Sequence, residues 1–349
     1  MGCNSSTPAT NPSSKGKKPT AAGNKPIVTL TGVTGYIGSM VCKLFLEDGN
    51  YRVRGTVRDK TNEAKLAPLK EAFGDLYNQL ELVNADLNDE QSLINAVKGS
   101  TYVVHMASPF AFTGGEEGLV KPAVAGTMGA MKACQAAGVK RCVVTSSCAS
   151  IAFCAEADRP ALFNETHWSD PDRPEGMNFY FKSKIFAEKT AWDFQKALPA
   201  AEKFEITTVC PGFVMGPPLK KESSTSIDFT KYLLEGKMPK ISSDHMMFVD
   251  IRNVAEAHLL AIKKPEAANK RYILCESSPT YLDYAAPLEA KYRPLGYPIT
   301  EDKQPLQNEW FPQMDNTASK KLGIKYISLE KSMLDMAEAM IAKGMIVKE

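Results

Sequence analysis

Ile27-Val28-Thr29-Leu30-Thr31-Gly32-Val33-Thr34-Gly35-Tyr36-Ile37-Gly38 decides how this chain is read. The run from Pro26 to Thr31 is short and rich in β-branched and apolar residues, which predicts a buried strand. Three glycines then open a turn, and Met40, Val41, Leu44 and Phe45 follow at the spacing of an apolar helix face. A phosphate-cradling loop requires this context of strand, glycine turn and helix. Glycine permits the tight turn and a close backbone approach, while the helix N-terminus offers free N–H groups and a positive dipole end to a pyrophosphate. The spacing is Gly-x-x-Gly-x-x-Gly, not the Gly-x-Gly-x-x-Gly of the ordinary dinucleotide fingerprint. With a strand before it and a helix after it, the triplet still marks Gly32, Gly35, Tyr36, Ile37 and Gly38 as candidate cofactor-binding residues.

Downstream, strand and helix alternate. Residues 51–58 read as the second strand, which ends in Arg58, with Asp59 next and Lys65 seven residues on. An arginine here accommodates a 2′-phosphate, so NADP(H) is favoured over NAD, and Asp59 keeps some NAD use open. Strands at 80–85 and 102–106 run into Asp86-Leu87 and Ala107-Ser108-Pro109, and a fifth at 141–144 runs into Thr145-Ser146-Ser147. Helices are expected at about 62–73, 89–97 and 119–137. This alternation predicts an α/β fold with a doubly wound parallel sheet of Rossmann type. Ligands lie at the carboxyl ends of such strands, where the glycine turn, Arg58, Asp86 and Ser108 all fall. His105 reads as a packed core residue.

The stretch Asn178 to Lys189 has no glycine or proline and suits a helix. On that helix Tyr180 and Lys184 lie one turn apart on one face. A nearby ammonium favours phenolate, so Lys184 is expected to draw the Tyr180 phenol below its usual value of about 10 and make it a usable acid toward a carbonyl oxygen. Helices supply this spacing often, and its meaning depends on what the strand ends bring to it. The hydroxyls at 145–147 can hydrogen-bond a substrate carbonyl. No Gly-x-Ser-x-Gly elbow is present, which argues against a serine hydrolase.

Composition narrows the classes. Net charge is +2, which does not point to nucleic acid, and no apolar run approaches the roughly 20 residues of a membrane span. Eight scattered cysteines without a Cys-x-x-Cys pair, and four histidines, argue against metal sites and a disulfide framework and fit a reducing, cytoplasmic setting. Residues 1–24 read as a polar, disordered tail without a secretory signal. The tail opens Met1-Gly2-Cys3-Asn4-Ser5-Ser6, which fits myristoylation of Gly2, with Cys3 a palmitoylation candidate. Lys15, Lys17, Lys18 and Lys25 would add attraction to an anionic leaflet, so peripheral membrane association is expected if acylation occurs.

The ordered set Thr31-Gly32-x-x-Gly35-x-x-Gly38, Thr56-Val57-Arg58, Asp86-Leu87, His105-x-Ala107-Ser108-Pro109, Thr145-Ser146-Ser147 and Tyr180-Phe181-x-Ser183-Lys184-x-x-Ala187-Glu188-Lys189 resembles the extended short-chain dehydrogenase/reductases. It is most similar to their dihydroflavonol reductase, anthocyanidin reductase and cinnamoyl-CoA reductase group, which includes fungal carbonyl and methylglyoxal reductases. The likeness continues through Pro211 to Pro217 and Phe248 to His258, and spans about residues 26 to 343. The resemblance implies a catalytic triad of Ser147, Tyr180 and Lys184, with Tyr180 protonating the carbonyl oxygen and Lys184 also holding the nicotinamide ribose. It further implies that Arg58 and Lys65 contact the 2′-phosphate, Asp86 and Leu87 the adenine, and Pro211 to Val214 the nicotinamide amide, with Ser108 nearby. Lys182 departs from the small apolar residue usual at its position, and the aromatic-Tyr-Cys surroundings of the cinnamoyl-CoA reductase signature are absent.

The expected organisation is therefore a tail at 1–24, an NADP-binding domain at 25–214 and a mainly substrate-binding part at 215–349, with about 246–275 returning to the sheet. Within the last part, helices are expected at 227–235, 251–262 (capped by Asp250), 281–292 and 328–343, and a strand at 271–275. Tyr281, Tyr284, Trp310, Phe311 and Met314 are either core or pocket lining. The expected activity is NADPH-dependent reduction of a small-molecule aldehyde or ketone by a monomer or homodimer. A nucleotide-sugar epimerase or dehydratase with tightly held NAD is the nearest alternative, and a membrane-tethered NADPH sensor without turnover is the alternative from another class.

Overall fold

The computed structural model describes residues 25–108, 115–173, 176–306 and 310–348. The acylation candidates Gly2 and Cys3, the tail lysines before Lys25, and Pro109 lie outside the described residues. The chain begins β1 (Ile27–Thr31), α1 (Tyr36–Asp48), β2 (Arg52–Val57), α2 (Glu63–Phe73), β3 (Leu80–Asn84), α3 (Glu90–Val97) and β4 (Tyr102–His105). It continues through α4 (Lys121–Ala137), β5 (Arg141–Thr145), α5 (Phe179–Ala197) and β6 (Glu205–Pro211). Then come β7 (Phe213–Met215), α6 (Thr225–Leu234), β8 (Ile241–Ser242), β9 (Phe248–Asp250), α7 (Ile251–Lys263) and β10 (Lys270–Leu274). The last elements are α8 (Tyr281–Tyr292), β11 (Lys303–Gln304), α9 (Thr317–Leu322) and α10 (Leu329–Ala342).

Seven strands form one parallel sheet in the order β10-β6-β5-β4-β1-β2-β3. Strand alternation covers both of its faces. Leu30, Val104 and Val143 point into one cluster with Val41 and Phe45 of α1 and Val254 of α7, whereas Val103, Cys142 and Val144 point into the other, with Leu93 of α3 and Met131 of α4. Each such side chain contributes roughly 1.5–3 kcal/mol on burial, and a sheet covered on both faces has no solvent side to expose. A separate buried cluster joins Met215, Ile227, Phe248, Tyr284, Leu288 and Met336 across α6, α8 and α10. The Tyr36 hydroxyl spans the two regions, donating to the Gly216 carbonyl at 2.6 Å.

β6 was not anticipated as a strand. Its Thr207 and Thr208 dilute the apolar run, but both hydroxyls are satisfied inside, on the Ala267 carbonyl at 2.7 Å and the Glu188 carboxylate at 2.8 Å. The helix bearing Tyr180 also runs to Ala197, well past Lys189. Asp250 caps α7 as expected, accepting from the Arg252 amide at 2.8 Å. Of the five ambiguous residues, Tyr284 is fully buried core, while Trp310, Phe311 and Met314 pack on a cluster around Ile151 and Phe163.

Candidate active site

The strand order reverses between β1 and β4, and such a reversal opens a crevice at the carboxyl ends. One hydroxyl fixes its floor. Thr31 Oγ1 accepts from the Met106 and Ala107 amides, each at 3.0 Å, and lies 3.1 Å from His105 Nδ1. His105 is buried as a core residue, and burial, with a smaller effect of the Lys184 charge, pushes its imidazole down to about 4.

The glycines of the turn differ in what they do. Gly32 has φ +73°, a left-handed conformation that L side chains rarely adopt. A Cβ at Gly38 would lie 2.1 Å from the Gly32 carbonyl oxygen, so the fold itself requires glycine there. Gly35 is different, because its φ is −79° and a Cβ would meet nothing closer than 3.5 Å. The protein does not demand glycine at 35, and a side chain there would instead fill the space in front of α1. That helix has no side-chain N-cap and no acidic residue in its first turn, which leaves its leading N–H groups for an anion. These features fit the pyrophosphate of a dinucleotide.

At the end of β2, Arg58 is exposed, as is Lys65 in the first turn of α2, and neither forms a salt bridge among the described residues. Asp59 instead turns to its own loop, accepting from the Thr61 hydroxyl at 2.6 Å and the Thr61 amide at 2.9 Å; these bonds hold its carboxyl below the usual range. Two exposed cations therefore stand at this strand end, and Asp59 is occupied by its own loop. Asp86 accepts from the Asn88 amide at 2.9 Å, and Leu87 packs against Gly126 of α4. At the end of β6, Pro211 and Val214 are buried, and Val214 pairs with Val249. The Tyr36 side chain is likewise committed, to Gly216, which leaves only its main chain for a cofactor.

The three hydroxyls after β5 take separate roles. Thr145 lies 2.7 Å from His258 Nε2, and Ser146 donates to Glu188. Ser147 is the one of the three that acts on the tyrosine: its side chain accepts from the Ala149 amide at 3.1 Å, and its hydroxyl favours the ionised form of Tyr180. The start of α5 is held by Asn178, whose side chain accepts from the Phe181 amide at 2.9 Å, and by Phe181 stacked on Phe153 at 4.4 Å. Lys184 Nζ stands 5.5 Å from the Tyr180 ring centroid and 3.5 Å from Ser108 Oγ. Thus Ser108, Ser147, Tyr180 and Lys184 converge. Behind Lys184 a cavity of about 10 Å³ touches His105, Thr145, Ser146 and Glu188, which is room for one water among polar groups.

A family model described as the NAD dependent epimerase/dehydratase family matches residues 28–275. The chain belongs to that family. Among its relatives, Cinnamoyl-CoA reductase 1 of Arabidopsis thaliana is 33% identical over 91% of this chain and 90% of its own length. Anthocyanidin reductase of the same plant is 32% identical over 84% of this chain and 91% of its own length. Yeast methylglyoxal/isovaleraldehyde reductase Gre2, solved in complex with NADPH, superposes with a TM-score of 0.77 at 31% identity, over 91% of this chain and 99% of its own.

In this family member one electrostatic expectation is reversed. The Tyr180 phenol is raised above its ordinary value, because burial outweighs the hydrogen bond from Ser147, and Lys184 does not pull it down. Burial acts on Lys184 as well and pushes its ammonium down to about 8. Lys182, on the same helix, is half-buried and forms no salt bridge among the described residues. Sequence reasoning passed over Glu188 and Arg271, which form a buried pair beneath the site at 2.7 Å. The signal was present: Glu188 stands four residues after Lys184, on the face that carries Ser183, Ala187 and Ala191 inward.

The two glycines give a paired prediction. Gly35→Ala should fold with an unchanged Tm yet bind NADPH at least tenfold more weakly, whereas Gly38→Ala should lower Tm by several degrees because the turn must move. Thermal unfolding and fluorescence titration with NADPH check both.

Proposed function

We propose that the protein reduces an aldehyde or ketone with NADPH, reversibly as an alcohol dehydrogenase. The carrying observation is the half-buried Tyr180 phenol, with the Lys184 ammonium 5.5 Å from its ring and the Ser147 hydroxyl acting on it, at the strand ends beside an uncapped helix N-terminus. The relatives support a reductase, and they are named for different substrates, so the reading stops at the carbonyl. The part of the chain after residue 214 is the proposed substrate side, where the half-buried Phe229 lies 5.4 Å from Tyr281 and 6.1 Å from Phe213 of β7.

The main chain of Gly32 to Gly38 would hold the pyrophosphate, Arg58 and Lys65 the 2′-phosphate, Asp86 and Leu87 the adenine, and Pro211 to Val214 the amide. Ser108, Tyr180 and Lys184 would face the nicotinamide ribose. NADPH, when bound, supplies the hydride that the carbonyl carbon receives. Ser147 donates a hydrogen bond that orients the carbonyl oxygen, and Tyr180 transfers its proton to that oxygen. The raised phenol keeps its proton at neutral pH, so the acid is loaded before reaction. The Ser147 hydroxyl then favours the phenolate left behind, which water reprotonates, while the Lys184 ammonium holds the nicotinamide ribose in place.

The tail adds a second part. Gly2 is proposed to be myristoylated and Cys3 palmitoylated, tethering the enzyme to the cytoplasmic face of a membrane. The support is Met1-Gly2-x-x-x-Ser6 followed by Lys15, Lys17, Lys18 and Lys25.

On a broad carbonyl panel, the wild type should consume NADPH with at least one substrate. Tyr180→Phe should lower that rate by about 10²–10⁴-fold with NADPH affinity retained. Unchanged turnover in the variant refutes the mechanism. In cells, a clickable myristate analogue should label the wild type and not Gly2→Ala; equal labelling would remove the anchor.

A further inference from the structure

Glu188 has no exposed side-chain surface, and its carboxylate is met by several donors. Arg271 of β10 donates from Nε at 2.7 Å and from Nη2 at 3.2 Å. Thr208 of β6 donates at 2.8 Å and Trp192 of α5 at 3.3 Å, and the hydroxyls of Ser146 and Ser150 complete the shell. Burial alone would push this carboxyl up, but Arg271 and the hydroxyls outweigh it and hold it below the ordinary range. Arg271 is itself fixed: it donates to the Glu165 and His167 carbonyls at 2.8 and 2.6 Å and lies 3.9 Å over the Trp168 ring.

Stability is a poor explanation for such a pair. Desolvating two charges costs several kcal/mol each, and apolar residues of similar volume often serve a core equally well or better. The pair does fix distances. Glu188 is one turn from Lys184 and two from Tyr180 on α5, and its partner Ser146 is the residue before Ser147 at the end of β5. One carboxylate thus ties both the helix that carries Tyr180 and the strand end that carries Ser147 to β6 and β10.

We propose that Glu188 and Arg271 are positioning residues that set the spacing of α5 from the end of β5, so that the Ser147 and Tyr180 hydroxyls meet. The proposal rests on the reductase reading for its kinetic consequence, and on geometry alone for its structural one.

The test uses Glu188→Gln, Glu188→Gln/Arg271→Met and Ser146→Ala in the full chain, each with kcat, NADPH affinity and Tm measured per folded protein. Glu188→Gln should lose at least tenfold in kcat with NADPH affinity within twofold. The double variant leaves no uncompensated charge, so it should recover part of the Tm lost by Glu188→Gln while kcat stays low. Recovery of kcat along with Tm would reduce the pair to a structural role and overturn the proposal. If Glu188→Gln does not fold, Ser146→Ala decides, since it keeps the charge pair: a severalfold lower kcat at wild-type Tm is expected, and wild-type kcat overturns the idea. If the wild type turns over no carbonyl, the reductase reading fails by itself. A second readout then applies, the ¹⁹F resonance of 3-fluorotyrosine at position 180, assigned by its absence in Tyr180→Phe. That resonance should shift in Ser146→Ala, and an unmoved signal contradicts the positioning role.

Discussion

The reversal of strand order between β1 and β4 is the constraint on which the site depends. In a parallel sheet the crossovers leave each strand at the same edge, and where their direction changes, adjacent loops diverge and leave a crevice. Here Thr31 holds the floor of that crevice by accepting from two successive amides after β4. The glycine turn can then fold tightly onto the same point, with Gly38 against the Gly32 carbonyl, and aim the uncapped end of α1 into the opening. Every candidate residue for binding a cofactor lies on a strand end, a loop or a helix start at that edge.

The other half of the site depends on how α5 is seated. A helix packed only by apolar contacts can slide or rotate slightly at little cost, because those contacts are not directional. The Glu188 carboxylate removes that freedom, since charge-assisted hydrogen bonds have narrow geometry and a buried charge without partners is expensive. Seating α5 this way places Tyr180 against Ser147 and puts Lys184 in surroundings dry enough to lower its ammonium to about 8. A lysine so placed is a responsive charge, and its protonation matters within the range where enzymes are assayed.

Much of this was legible in the sequence, for identifiable reasons. The glycine turn, β1 and α1 announce themselves because local backbone demands fix residue types there. Tyr180, Lys184 and Ser147 stood out as candidates because their order along the chain resembles that of a family, and the structure sets Lys184 5.5 Å from the Tyr180 ring. The direction of the Tyr180 shift was not legible: spacing reports that an ammonium is near, but not how much water burial removes from both groups. Glu188 and Arg271 were passed over because they are 83 positions apart, and nothing local in β10 says that its arginine points inward. β6 was hidden by two threonines whose hydroxyls find partners only in the folded chain.

The account makes the charge on Lys184 necessary for reduction, and the pH dependence of kcat/KM for NADPH reads that charge in the free enzyme most directly. Because the folded ammonium titrates at about 8, the charged form dominates below that pH and is lost above it. The predicted profile is level near neutrality and falls roughly tenfold per pH unit beyond about 8, with the descending limb absent from the residual activity of Lys184→Met. A wild-type profile that stays level through pH 9.5 would contradict the role assigned to Lys184.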